Sequence, residues 1–223
     1  MKPFRYCTIL LAAIALSHPV TARAAASMVV DDAGVTARGH CQLEAWWRAT
    51  PSGASSTVVP ACNVMGTEIA FGLTDLRHGP ASLDVGAKRV LRDPERHAWG
   101  LAVSVGMQRA WQGPQQRGSY LSVPLTWSIG PDAATRIHAN LGASALHAGP
   151  DTTSAGLGME HAINASWTVL AEAFGDDHAG QGGQLGLRRM VGKASSIDLV
   201  AGQDRRNAPH GWITLGVNLA MAP

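Results

Sequence analysis

Read for catalysis, the chain offers one constellation. His138, Ser144 and either Glu160 or Glu172 could be drawn as a base, a nucleophile and an orienting carboxylate. Serine and histidine recur freely here, however, with His40, His78, His97, His138, His147, His161, His178 and His210 all beyond residue 26. No Gly-x-Ser-x-Gly turn is present to expose a nucleophile. The expectation is therefore no catalytic residue, with a lipid-acting barrel hydrolase kept as a third reading. Asp176-Asp177-His178 has the chemistry to hold a cation, and a solvated polar loop is the favoured reading of it. A Walker loop, a dinucleotide fingerprint, Cys-x-x-Cys and His-Glu-x-x-His are all missing, so neither a cofactor nor a metal is expected.

The elements that must position these residues are strands. Leu121 to Ile129 alternates apolar with small or polar residues, Pro124 included, and the rhythm recurs along the chain. Successive side chains of a strand point to opposite faces, so this pattern makes one face apolar and the other small or polar. Twelve strands are read, at 41–49, 56–62, 67–75, 82–91, 98–110, 119–129, 135–147, 154–161, 167–175, 183–191, 196–204 and 211–220. The number falls to ten if the short second strand belongs to a loop. The connections form two sets. One looks tight: 63–66, 92–97, 130–134, 162–166 and 192–195. The other looks longer or richer in Gly, Pro and Asp: 50–55, 76–81, 111–118, 148–153, 176–182 and 205–210. Outer-membrane barrels have short periplasmic turns and longer outer loops, which would place both termini in the periplasm.

Residues 1–26 read as a signal peptide. Lys2 and Arg5 precede an apolar run from Tyr6 to Leu16, and small residues at Ala22-Arg23-Ala24 and Ala24-Ala25-Ala26 offer two cleavage sites. Residues 27–223 form the expected barrel. The leader holds three basic residues and no acids, so the 18 basic residues fall to 15 against 16 acidic ones, a net of −1. That leaves no basic patch for nucleic acid. No later segment reaches the length of a membrane-spanning helix. The expected fold is all-β: a closed antiparallel transmembrane barrel, because hydrocarbon cannot satisfy an open sheet edge.

Within that barrel, Leu101, Val103, Leu121, Leu125, Ile197, Leu199, Ile213 and Leu215 belong to the lipid face. Trp47, Trp99, Trp111, Trp127, Trp167 and Trp212 lie near strand ends and suit an interfacial girdle. The opposite parity carries Glu44, Glu68, Asp84, Lys88, His138, Glu160, Glu172, Arg188 and Asp198. These are the candidate lumen residues, either lining water and selecting solutes or pairing across a narrow bore. Cys41 and Cys62 flank the first hairpin at one end, and an even pair in an exported chain predicts a disulfide.

Several short stretches resemble a known family. They are Asp31-Asp32-Ala33-Gly34, Cys41-Gln42-Leu43-Glu44, Pro60-Ala61-Cys62-Asn63, Trp99-Gly100-Leu101-Ala102-Val103, Glu172-Ala173-Phe174-Gly175-Asp176, Gln184-Leu185-Gly186-Leu187-Arg188 and Trp212-Ile213-Thr214-Leu215-Gly216. Together they resemble the proteobacterial outer-membrane transporters of the MetA-pathway of phenol degradation type. The resemblance implies passive entry of small, including aromatic or hydrophobic, solutes. Its implied partners are outer-membrane lipid and the solute, with no nucleic acid, and it leaves the oligomeric state open. A sealed structural or surface-binding barrel is the alternative.

Overall fold

A computed structural model describes residues 27–76, 81–111, 117–178, 180–204 and 210–221. The leader expected at 1–26 lies outside the described residues. Twelve strands follow in order: β1(Cys41–Thr50), β2(Gly53–Val64), β3(Thr67–Leu76), β4(Ser82–Arg92), β5(Trp99–Ala110) and β6(Arg117–Ile129), then β7(Thr135–Leu146), β8(Thr152–Asn164), β9(Trp167–Asp176), β10(Gly180–Val191), β11(Ser195–Asp204) and β12(His210–Met221). Each pairs antiparallel with its neighbours, and β1 pairs with β12 from Cys41↔Met221 to Ala49↔Ile213. The barrel is therefore closed, and no strand edge is left open.

The ten-strand alternative fails on β2. It runs 12 residues rather than the seven expected, and β8 runs 13. β2 is long because the connection before it is only Pro51-Ser52, where a longer loop at 50–55 was expected. Pro51 and Gly53 were read as loop composition, yet they flank a tight turn. The expected alternation of short and long connections is not observed among the described residues. Turns 93–98 and 130–134, where tight connections were expected at 92–97 and 130–134, run six and five residues, no shorter than the five of 147–151.

The molecule is inverted relative to a water-soluble one. Leu141, Leu157, Leu185 and Leu199 stand on the outer wall, each more than half exposed, while Asp198, Thr214, Asn218 and His138 are wholly buried inside. A water-soluble fold buries its large aliphatic residues and exposes its charges. An apolar outer wall around a polar interior is the signature of a barrel in lipid.

Cys41 and Cys62 are register partners in the first hairpin, and a disulfide joins them. Trp47, Trp99, Trp111, Trp127 and Trp167 are exposed. Arg92 lies over the Trp99 ring at 4.3 Å and Arg189 over Trp167 at 5.5 Å, a pairing suited to a surface where apolar and aqueous layers meet. Trp212 departs from the expected girdle. It is 8% exposed and turns inward, donating from Nε1 to Gln184 Oε1 at 3.1 Å. Its even position on β12 is the same parity as buried Thr214 and Asn218, so the two-residue period already assigns it to the interior. Gly202 lies opposite, where any Cβ would collide with the indole ring.

Candidate functional site in the barrel lumen

The lumen is occupied by the chain's own residues 27–38. Beside the disulfide, Gly39 N donates to Asn63 O and Asn63 N to His40 O, fixing where the segment leaves β1. Asn63 Nδ2 donates to Thr36 O at 2.6 Å, and Thr36 N donates to Glu68 Oε2 at 2.7 Å. Further in, Ala33 N donates to Thr126 Oγ1, which stands 3.0 Å from His138 Nδ1. Lys88 Nζ reaches Asp31 at 2.7 Å and Asp32 at 3.4 Å. The Asn140 carboxamide pairs with both backbone groups of Asp31 once its O and N are oriented to match them. Val29 N and Val30 N both donate to the Glu172 carboxylate. Ser27 is the first described residue, its Oγ donating to Asp198 Oδ2 at 2.7 Å and its carbonyl accepting from Gln184 Nε2. The segment thus crosses from the β2–β3 wall to the β9–β11 wall.

The inner wall is cut to receive it. A Cβ on Gly156 would lie 2.6 Å from Val30 Cγ2, and one on Gly158 3.3 Å from Val30 Cβ. Glycine at these two positions is explained by this close approach alone.

All nine expected lumen residues lie on the inner wall, but they do different jobs. Arg188 is 4% exposed and grips Asp198 bidentately at 2.8 and 2.9 Å, with Glu160 at 2.7 Å. A fork-to-carboxylate pair of this kind is strong and directional, and here it is already satisfied. Glu172 is taken up by the segment and by Gln184. Asp84 accepts from the Tyr120 hydroxyl at 3.1 Å. Glu68 and Lys88 are bound to the segment as well, and together with Glu44 they also line a cavity. The drawn triad does not assemble: His138 and Ser144 are six residues apart on β7, about 20 Å along a strand. In Asp176-Asp177-His178, Asp177 accepts from the Thr153 hydroxyl and amide, Asp176 from His178 N, and His178 Nε2 lies 3.0 Å from Asp151 O.

Three hollows succeed one another around the segment. One of about 520 Å³ lies at the end away from the termini, lined by Arg48, Tyr120, Phe174 and Trp212, with Val29 and Val30 against it. A second, about 210 Å³, lies between the segment and the β1–β4 wall and is lined by Asp31, Glu44, Glu68, Lys88 and Tyr120. The third, about 690 Å³, opens at the termini end beside Arg89 and Arg96. The first two share Val29 and Tyr120, and the last two share Val35 and Gln42. Sequence reading missed the segment and, with it, Ser27, Asp31, Asp32, Thr36 and Arg48. The available signal was the Asp31-Asp32 pair set against Lys88, the one lysine of the inner wall.

A closed barrel with an apolar outer wall and a polar, strapped lumen is the architecture of a transmembrane β-barrel. Residues 12–221 match the family described as uncharacterised conserved protein UCP029691, and the chain belongs to that family. No curated protein matches the sequence. Among solved structures it is similar to the KdgM porin in complex with disordered oligogalacturonate, at 8% identity and a TM-score of 0.69 over 81% of this chain and 99% of that one. It is also similar to the COG4313 outer membrane channel from Pseudomonas putida F1, at 8% identity and a TM-score of 0.64 over 85% and 98%. The NanC porin follows at 9% identity and 0.58, over 80% and 98%. At such identities the shared property is the fold, a twelve-stranded barrel of the outer-membrane porin type.

Proposed function

We propose that the protein is an outer-membrane channel for small solutes, constricted by its own N-terminal segment. The observation that carries this reading is the run of three hollows sharing walls from one end of the barrel to the other. The middle hollow is the smallest of the three, about 210 Å³ against about 520 and 690 Å³, which supports a small solute. Its lining carries Asp31, Glu44 and Glu68 against Lys88, an acidic excess that favours small polar or cationic solutes. That lining does not suit the hydrophobic compounds implied by the resemblance to phenol-degradation transporters, although the outer vestibule, with Phe174 and Trp212, offers aromatic surface. The apolar outer wall and the arginine–tryptophan pairs support an outer-membrane location, with the disulfide end in the periplasm.

The test is single-channel recording of the refolded protein in a planar bilayer. Small, cation-preferring steps are expected. Replacing Glu44 and Glu68 by Gln should lower the cation preference while the barrel stays folded. Insertion with no current, in the intact chain and equally after deletion of residues 27–38, would establish a sealed barrel and refute the channel.

A further inference from the structure

Ser27, the first described residue of the segment, is buried in the lumen and only 1% exposed. Its hydroxyl is spent on Asp198 and its carbonyl on Gln184. Around it stand three carboxylates: Glu160 and Asp198 share the Arg188 guanidinium, and Glu172 accepts from Gln184 and from the amides of Val29 and Val30. Arg48 lies over the Trp212 ring and donates to Thr214 Oγ1, and its charge also reaches Glu172. Three carboxylates thus face two guanidinium groups, an excess of one negative charge, and buried carboxylates need compensation.

We propose that the leader is removed between Ala26 and Ser27, and that the α-ammonium group so created is the missing counter-ion of this cluster. Of the two small-x-small sites, Ala24-Ala25-Ala26 is the one that ends the chain where the cluster receives it. Covalent geometry holds a serine's nitrogen within about 4 Å of its own Oγ. With Oγ 2.7 Å from Asp198 Oδ2, the new ammonium lies at most about 7 Å from that carboxylate. Cleavage is hydrolysis of one peptide bond: water adds, Ala26 leaves with the carboxylate, and Ser27 takes the amine, protonated at neutral pH. Before the cut, position 27 is a neutral amide and supplies no charge. Processing therefore licenses the seating of the segment, whether or not the barrel conducts.

The experiment uses the full chain exported in a Gram-negative host. Intact mass and N-terminal sequencing of the membrane-inserted protein should show a chain beginning at Ser27. A start at Ala25, or an uncleaved chain in the folded barrel, overturns the proposal. Brief stoichiometric periodate converts a terminal serine bearing a free amine into an aldehyde. It should act at least about tenfold more slowly on the folded barrel than on the unfolded chain, because a buried end reacts only through opening. Equal rates would refute burial of the terminus. The charge is tested by refolding. The aldehyde-terminated chain should lose protection of residues 27–38 from proteases, whereas S27A, which keeps the amine and lacks the hydroxyl, should retain it. Loss in both to the same degree would show that the hydroxyl, not the ammonium, holds the end.

Discussion

Lys88 is the residue whose loss should most directly free the lumen. Its ammonium holds Asp31 and Asp32 at 2.7 and 3.4 Å, and these two carboxylates sit at the turn of the segment across the bore. In K88M both remain beside Glu44 and Glu68 with no cation between them. Removing one partner of a buried pair costs about 3–5 kcal/mol. Lys88 is 11% exposed and Asp32 16%, but Asp31 is 45% exposed, so water recovers part of that loss and about 2–3 kcal/mol is the better figure. The segment can avoid the penalty by leaving the lumen, whereas the strand hydrogen bonds cannot rearrange. The cost therefore falls on the seated state and shifts the ratio of seated to released segment by about 30- to 150-fold. Single-channel recording reads this as a larger conductance level visited for a much greater fraction of time. The double variant D31N/D32N should release the segment in the same direction. Adding K88M to it should change little further, because the interaction is already gone. If K88M conducts like the parent while its barrel content is unchanged, the Lys88 pairs do not hold the segment and the reasoning fails.

Gly156→Val should also unseat the segment, since its Cβ would fall 2.6 Å from Val30 Cγ2; faster proteolysis of residues 27–38 with an intact barrel is the expected result. E160Q/E172Q should lower the thermal midpoint and loosen the segment rather than tune selectivity, because both carboxylates are already bound to Arg188 or to the amides of Val29 and Val30; a pure selectivity change with no loss of stability would contradict this. Opening the Cys41–Cys62 link as a pair of serines should cost about 3 kcal/mol in denaturant titration, as expected for a closed loop of this size. The Thr153 hydroxyl and amide hold the Asp177 carboxyl below the ordinary carboxylate range. A depressed carboxyl gives stability that is present above its unfolded value and is lost as pH falls through the folded one. Hydrogen-exchange protection factors of residues 151–178, each referred to the intrinsic rate at its own pH, should therefore be flat from about pH 7 to 5 and fall only in stronger acid, below about pH 4; a fall near neutrality would refute the assignment.

The two-residue period in the chain determined the strands, their inner and outer faces, and the parity that puts Glu44, Lys88, His138 and Arg188 inside. These are local properties, because pleating fixes side-chain direction residue by residue. The same period places Trp212 inside, where its position near a strand end had suggested a girdle. The Cys41–Cys62 link was legible too, since a hairpin's register follows from its own two strands. Tertiary structure alone decided what fills the bore. Residues 27–38 have no alternating pattern, make no strand, and find their partners far along the chain, as Val30 finds Glu172 across 142 positions. Only closing the sheet brings Glu68, Lys88, Glu172 and Asp198 around one axis, where their charges call for a partner that a list of residues cannot locate.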